Sequence, residues 1–296
     1  MRIGLLGTGP WAGTVHAPAL AGHPGVDFTG VWGRRPEAAE ALARTSGTRA
    51  YADADALFAD SDAVAIALPP DVQAELAERA ADAGCHLLLD KPVATSTAAA
   101  RRVADAAARA GVASVVFFTV RFDPAVAEWI AGQAAAGGWF TARAEWLGAL
   151  FSEDADSPYA DSPWRREKGA LWDVGPHALS VLLPVLGDVT DLDAVTAAGG
   201  PGDTVHLVLR HDGGASSTVT LSLTAPVAAA GRAVELRGAA GSSVLPGQQA
   251  DGVAAFRRAV DALTDSARSG VPHPCDVRFG MRVTEILAAA ETARAR

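Results

Sequence analysis

Residues 1–20 read MRIGLLGTGPWAGTVHAPAL. An apolar run, Ile3 to Leu6, leads straight into Gly7-Thr8-Gly9-Pro10-Trp11-Ala12, a G-x-G-x-x-A spacing, and then into a helical pattern. In that order each small residue has its own task. Gly7 permits a tight turn, Gly9 lets the backbone approach a pyrophosphate, and Ala12 lets the helix lie close to the strand. The helix N-terminus then offers N–H groups and a partial positive charge to the phosphates. A glycine-rich turn with no ligand is the plainer alternative, but the strand before and the helix after are the context a dinucleotide site requires. Gly7, Thr8, Gly9, Pro10, Trp11 and Ala12 are therefore expected to bind a dinucleotide.

Outward from this stretch, short apolar runs alternate with helical patterns to about residue 119. The runs RIGLLG, VDFTGVW, AVAIAL, HLLLD and ASVVFF are continuous rather than alternating, as suits strands covered on both faces. Strand, helix, strand repetition with right-handed crossovers gives a doubly wound parallel sheet, so the expected class is α/β with a dinucleotide-binding domain over 1–119. After 120 the texture changes. WFTARAEWLGAL, DTVHLVLRH and SSTVTLSLTA read as longer strands, HDGG (211–214) as a hairpin turn, and 251–268 and 276–293 as closing helices. Residues 120–296 are expected to form a second α/β domain with a large, mostly antiparallel open sheet.

Composition narrows the partners. The 296 residues are 49% hydrophobic and 20% charged, the balance of a globular protein, with a net charge of -9. An acidic chain offers no broad basic face to nucleic acid or anionic lipid. No stretch reaches the roughly 20 uncharged apolar residues of a membrane span, and nothing at the N-terminus resembles a secretory signal. Cys85 and Cys275 stand far apart, with neither metal-ligand nor redox spacing. A cytoplasmic protein with packing cysteines is the expectation.

Four further segments carry chemistry. The second strand ends VWGRRPE, with Gly33, Arg34 and Arg35 where an NAD site usually places an acid for the ribose 2′-hydroxyl. Asp27 lies at the wrong end of that strand. Arginine pairs with a 2′-phosphate, so NADP is the expected cofactor, with NAD the alternative; two solvent-facing arginines are the plain reading. Leu68 and Pro69, in LPPD (68–71), follow a strand where a ligand crosses the sheet edge, or else form a stiff loop. LLLDKPVA puts Asp90, Lys91 and Pro92 at the C-terminal end of a buried strand, the side on which open α/β sheets bind ligands.

The fourth segment is KGALWDVGPHALSVLLPVLG (168–187). If Asp173 caps the helix, Pro176 falls in its first turn and His177 emerges one turn on, while Leu179, Leu182, Leu183 and Leu186 bury its body. A helix N-terminus disfavours imidazolium, leaving His177 able to accept a proton. A metal site is the rival reading, but no third ligand has suitable spacing; a capping Asp and a satisfied core His is the other. Tyr159, Trp164, Trp146 and Trp172 could give aromatic faces to a sugar ring or be ordinary core. His16, His23, His86, His206, His211 and His273 are taken as structural or exposed.

The fingerprint, Asp-Lys-Pro and the Asp173/His177 segment, in that order, resemble the Gfo/Idh/MocA family of sugar and polyol oxidoreductases over essentially the whole chain. Relatives usually have Glu-Lys-Pro where this chain has Asp90-Lys91-Pro92, and many have His where Gln73 follows the Pro-Pro pair. The resemblance implies hydride transfer at a nicotinamide, with Lys91, Asp173 and His177 as the catalytic set in a cleft between the domains. On that basis His177 is the expected base, Lys91 the cation that steadies charge on the substrate oxygen, and Asp173 an orienting group. Asp90 is a supporting residue. The substrate class implied is a sugar-like or polyol small molecule. A homodimer or homotetramer packed through the second sheet is also implied, and apolar positions alternating with the Ser/Thr face of 218–224 are read the same way. A dinucleotide-binding sensor without turnover is the alternative function.

Overall fold

The structure, a computed structural model, describes residues 1–155, 157–247 and 251–296. The chain divides into two compact units, Met1–Phe122 with Ala250–Arg282, and Asp123–Gln249 with Val283–Arg296.

The first unit contains β1 (Arg2–Leu6), a π-helical turn (Ala12–His16) running into α1 (Ala17–Ala21), β2 (Asp27–Trp32), α2 (Pro36–Thr45), β3 (Ala50–Tyr51), α3 (Ala54–Ala59), β4 (Ala63–Ile66), α4 (Pro70–Asp82), β5 (His86–Asp90), α5 (Thr97–Ala110) and β6 (Ser114–Phe117). Its six strands lie in the order β3-β2-β1-β4-β5-β6, all parallel. The order reverses beside β1, so the loops after β1 and β4 open at the switch point where such sheets take ligands. The central strands carry continuous apolar runs because helices cover both faces: Ile3, Leu5, Val64, Ile66, Leu87 and Leu89 are all fully buried.

The second unit contains α6 (Pro124–Ala136), β7 (Trp139–Leu147), α7 (Pro163–Asp173), α8 (Gly175–Leu186), β8 (Thr196–Gly199), β9 (Val205–Arg210), β10 (Ser216–Ser222), β11 (Gly231–Gly238) and β12 (Gly241–Val244). Its sheet runs β12-β11-β7-β10-β9-β8. Every pair is antiparallel except β7 with β10, which are parallel because α7, α8 and the β8–β9 hairpin intervene. The expected hairpin closes at 211–214, where the N–H of Gly214 donates to the carbonyl of His211 at 2.9 Å. Val219, Leu221 and Leu223 are buried, and α7 and α8 pack on β10. Helices of the same unit thus cover the apolar face of β10, while Thr218, Thr220 and Thr224 belong to the opposite face, with Thr218 exposed.

Two helices close the chain, α9 (Gly252–Ser269) and α10 (Val277–Arg294). The expected division at 119/120 assigned both to the second domain, whereas α9 packs in the core of the first unit. Ala255, Phe256, Ala259, Val260 and Leu263 form one buried stripe against Ile3, Ala12, Val15 and Phe117. The long helical run Pro163–Leu186 has the length and hydropathy of a membrane span, yet 78% of its most apolar window is buried inside the protein. Packing on its own sheet explains that hydropathy.

Candidate active site

The fingerprint adopts the geometry its spacing requires. Gly7 has φ 127°, and a Cβ there would stand 2.3 Å from the carbonyl oxygen of Ala67, so the turn out of β1 passes against β4 with room only for glycine. Its N–H donates to the carbonyl of Trp32 at 2.9 Å, tying the turn to β2. Gly9 is different: a Cβ there would meet nothing within 4 Å. That open space lies above backbone at the start of a helix, the cradle a pyrophosphate needs. Ala12 is fully buried, as close packing of helix on strand demands. The loop residues Thr8 and Pro10 accompany them; the Trp11 and His16 rings meet edge to face, centroids 6.3 Å apart.

The loop after β2 sits beside this turn. A Cβ on Gly33 would come within 2.6 Å of the Thr8 methyl, so the two loops are in contact. Arg34 and Arg35 follow directly and are exposed. Leu68 and Pro69, both half-buried, follow β4, which pairs with β1.

Asp90 ends β5 and Lys91 follows it, both half-buried. The Lys91–Pro92 peptide is cis, and the Lys91 N–H donates to Asp90 Oδ1 at 3.2 Å. Gln73, 1% exposed, faces this turn and not the space above Gly9. Behind it lies His16, fully buried, stacked on Phe256 with centroids 4.0 Å apart and with Nε2 3.7 Å from Asp90 Oδ2. Neither His16 ring nitrogen has a hydrogen-bond partner, and burial pushes its pKa down to about 3. With the imidazole held neutral, the contact with Asp90 is not an ion pair despite its distance.

In the second unit Asp173 does not cap the helix that carries His177. It is the last residue of α7, Val174 intervenes as the N-cap of α8, and no side chain caps that terminus. The Asp173 carboxylate, 7% exposed, pairs instead with Arg165 Nε at 3.2 Å. Arg165 in turn lies over the rings of Trp164 and Tyr159. Sequence reading missed Arg165; its i, i+8 spacing from Asp173 is two helical turns, but Gly169 kinks α7 between them. His177, half-buried, stacks flat on Trp146 at 5.7 Å and 12°, and Arg232 lies over the same indole at 5.6 Å. Trp172 is fully buried, its Nε1 donating to Glu291 Oε1, so it is a core residue. The remaining histidines hold structural contacts: His211, for example, bonds Gly187 and Ser217. Among the described residues no cluster of three or more His, Cys, Asp or Glu is placed to hold a metal ion.

Residues 1–118 match the family model described as "Oxidoreductase family, NAD-binding Rossmann fold", and residues 143–244 match the "GFO/IDH/MocA C-terminal domain". The chain is 30% identical over 235 residues to D-xylose 1-dehydrogenase (NADP(+)) 2 of Haloferax volcanii, covering 76% of this chain and 70% of that one. It is 29% identical over 232 residues to inositol 2-dehydrogenase of Rhizobium meliloti, covering 75% and 68%. A solved oxidoreductase domain protein from Kribbella flavida superposes with a TM-score of 0.86 at 25% identity, over 99% of this chain and 96% of that one.

Proposed function

The chain belongs to the Gfo/Idh/MocA family of oxidoreductases, and from that premise we propose that it transfers a hydride between NADP and a hydroxyl carbon of a sugar-like or polyol substrate. The observation that carries this reading is the open cradle above Gly9 in the same fold unit as Lys91, which directly follows β5, two strands over from β1 in the same sheet. The names of two relatives, a xylose and an inositol dehydrogenase, support the substrate class. NADP in place of NAD rests on Arg34 and Arg35, exposed just past Gly33 where a 2′-phosphate would need a cation.

Gly7, Gly9 and Ala12 would hold the pyrophosphate, and the bound nicotinamide would supply the hydride acceptor. The chain's own residues handle the proton. Removing a hydride from a carbinol carbon leaves a carbonyl only if the hydroxyl proton departs as well, so a base must reach that oxygen. His177 is assigned as that base. Its ring is held flat on Trp146, which sets the plane in which its nitrogens lie. Lys91 is assigned the developing negative charge on oxygen, which a cation stabilises more in the transition state than in the ground state. Asp173, held by Arg165, orients a substrate hydroxyl. The buried, unpaired cysteines, whose thiols burial pushes up to about 11, take no part and accord with a reducing, cytoplasmic setting.

The test is a panel of polyols, aldoses, nucleotide sugars and their oxidised forms, each offered with NADP and NAD and followed at the nicotinamide absorbance. Turnover of one sugar-like compound is expected. Tight cofactor binding with no hydride exchange across the panel would return the reading to a sensor.

A further inference from the structure

The turn that presents Lys91 is held by a single buried carboxamide. Gln73, in the second turn of α4, donates from Nε2 to the carbonyls of Asp90 at 2.8 Å, Pro92 at 3.0 Å and Val93 at 3.3 Å. Its Oε1 accepts from the Asp90 N–H at 2.8 Å. These groups lie on the backbone either side of Lys91, and the side chain that joins them is 1% exposed. One acceptor facing an N–H and one NH2 facing three carbonyls fixes which way the amide points. A buried network with each member partnered holds one geometry; remove the hub and four backbone groups lose a partner without gaining water. Beyond those bonds, Pro92, Val93 and Ala94 are buried, leaving Lys91 and Asp90 as the half-exposed tip of a fixed turn.

We propose that Gln73 is a positioning residue for Lys91, setting where its ammonium stands during hydride transfer. This rests on the reading of Lys91 as a catalytic residue given above. Gln73 touches neither substrate nor cofactor; its effect reaches the reaction through the turn. A neutral imidazole at this position could accept from the Asp90 N–H and donate to one carbonyl only, so glutamine gives the tighter clamp of the two.

The test uses the full chain, with the substrate found by the panel and NADP. Gln73→Met keeps the length and bulk of the side chain and removes all four hydrogen bonds. It is expected to lower kcat on the order of 10- to 100-fold, with cofactor Kd within about twofold of the parent, because small misplacements of a reacting group have effects of that size. In the Gln73→Met, Lys91→Ala double variant turnover should be no slower than in Lys91→Ala alone, which a merely structural role would not produce. The chain has only two lysines, Lys91 and Lys168, so reductive methylation with 13C-formaldehyde gives two resolvable side-chain signals, assigned by Lys91→Ala. The Lys91 signal should move in Gln73→Met and the Lys168 signal should not. If Gln73→Met does not fold, Gln73→Glu, which keeps the acceptor and loses the donors, takes its place with the same expectations. Parental kcat in the folded Gln73 variant while Lys91→Ala is slow, or losses that multiply in the double variant, would overturn the proposal. Full turnover by Lys91→Ala would overturn the assignment of Lys91 itself, and the proposal with it, even where the Lys91 signal has moved.

Discussion

Arg34 lies just beyond a glycine whose Cβ would strike Thr8, so the guanidinium leaves the backbone beside the loop that would hold the pyrophosphate. Replacing it by alanine is expected to weaken NADP(H) by about 1.5–3 kcal/mol, the loss of one charged hydrogen bond, and to leave NAD(H) nearly unchanged. Fluorescence titration of both cofactors checks this; equal losses, or equal starting affinities, would contradict it. At this scale the sequence was legible where backbone geometry is specified by residue type. Gly7 and Ala12 behave as their spacing requires. What it could not show was partnership. Asp173 reads as a helix cap from its position before Gly-Pro, yet its carboxylate is taken by Arg165, because Val174 ends one helix and begins the next. Gln73 reads as a departure near the cofactor, yet its amide faces a turn seventeen residues on.

Among the elements, α7 is the one whose shape most depends on a single side chain. Gly169 leaves helical geometry at φ 62° and ψ −162°, freeing the N–H of Ala170, which donates to Asp203 Oδ2 at 2.9 Å. The other oxygen of Asp203 accepts from the N–H groups of Leu223 and Thr224 and from the hydroxyls of Ser222 and Thr224. One carboxylate thus joins the kink that precedes Asp173 to the end of β10. Asp203→Ala would leave three part-buried backbone N–H groups without this acceptor and is expected to destabilise the protein by about 2–4 kcal/mol. An unfolding free energy from denaturant titration within about 0.5 kcal/mol of the parent would show the kink to be self-supporting. The long central elements were readable because their apolar periods are unbroken. The outer strands were not: TAAG of β8 and GSSV of β12 carry almost no apolar signal, and in GRAVELRG of β11 the charges of Arg232, Glu235 and Arg237 mask the buried Val234 and Leu236.

For the whole molecule, four histidines, His16 and His211 buried and His86 and His273 partly so, contribute to the response to acid. Burial lowers the pKa of His16, to about 3, and also those of His86, His211 and His273. In the unfolded chain all four regain an ordinary value near 6.5, so below that pH the unfolded state binds more protons than the folded one, and stability falls as pH falls. His16 contributes over the widest window, from about 6.5 down to about 3. His16→Phe, which keeps the ring stacked against Phe256, should flatten the slope of stability against pH between 6 and 4 by up to about 1.4 kcal/mol per unit. Identical slopes in urea titrations of the two proteins would mean that His16 is not held neutral. The domain plan could be read only in part, since α9 returns to the first unit's core from 130 residues away, a placement decided by Phe256 and its neighbours finding apolar partners and not by chain order.

The central claim is that hydride leaves a hydroxyl-bearing carbon for the cofactor while His177 takes the proton and Lys91 holds the oxygen. The direct measurement offers the substrate found by the panel, deuterated on the reacting carbon, with NADP, and follows the mass of the reduced cofactor in the parent, His177→Ala and Lys91→Ala. One deuterium should appear in the reduced cofactor of the parent, at a rate lowered by the order of 10²-fold or more in each variant, with cofactor affinity unchanged. Unlabelled reduced cofactor, or labelling at the parental rate in both variants, would contradict it.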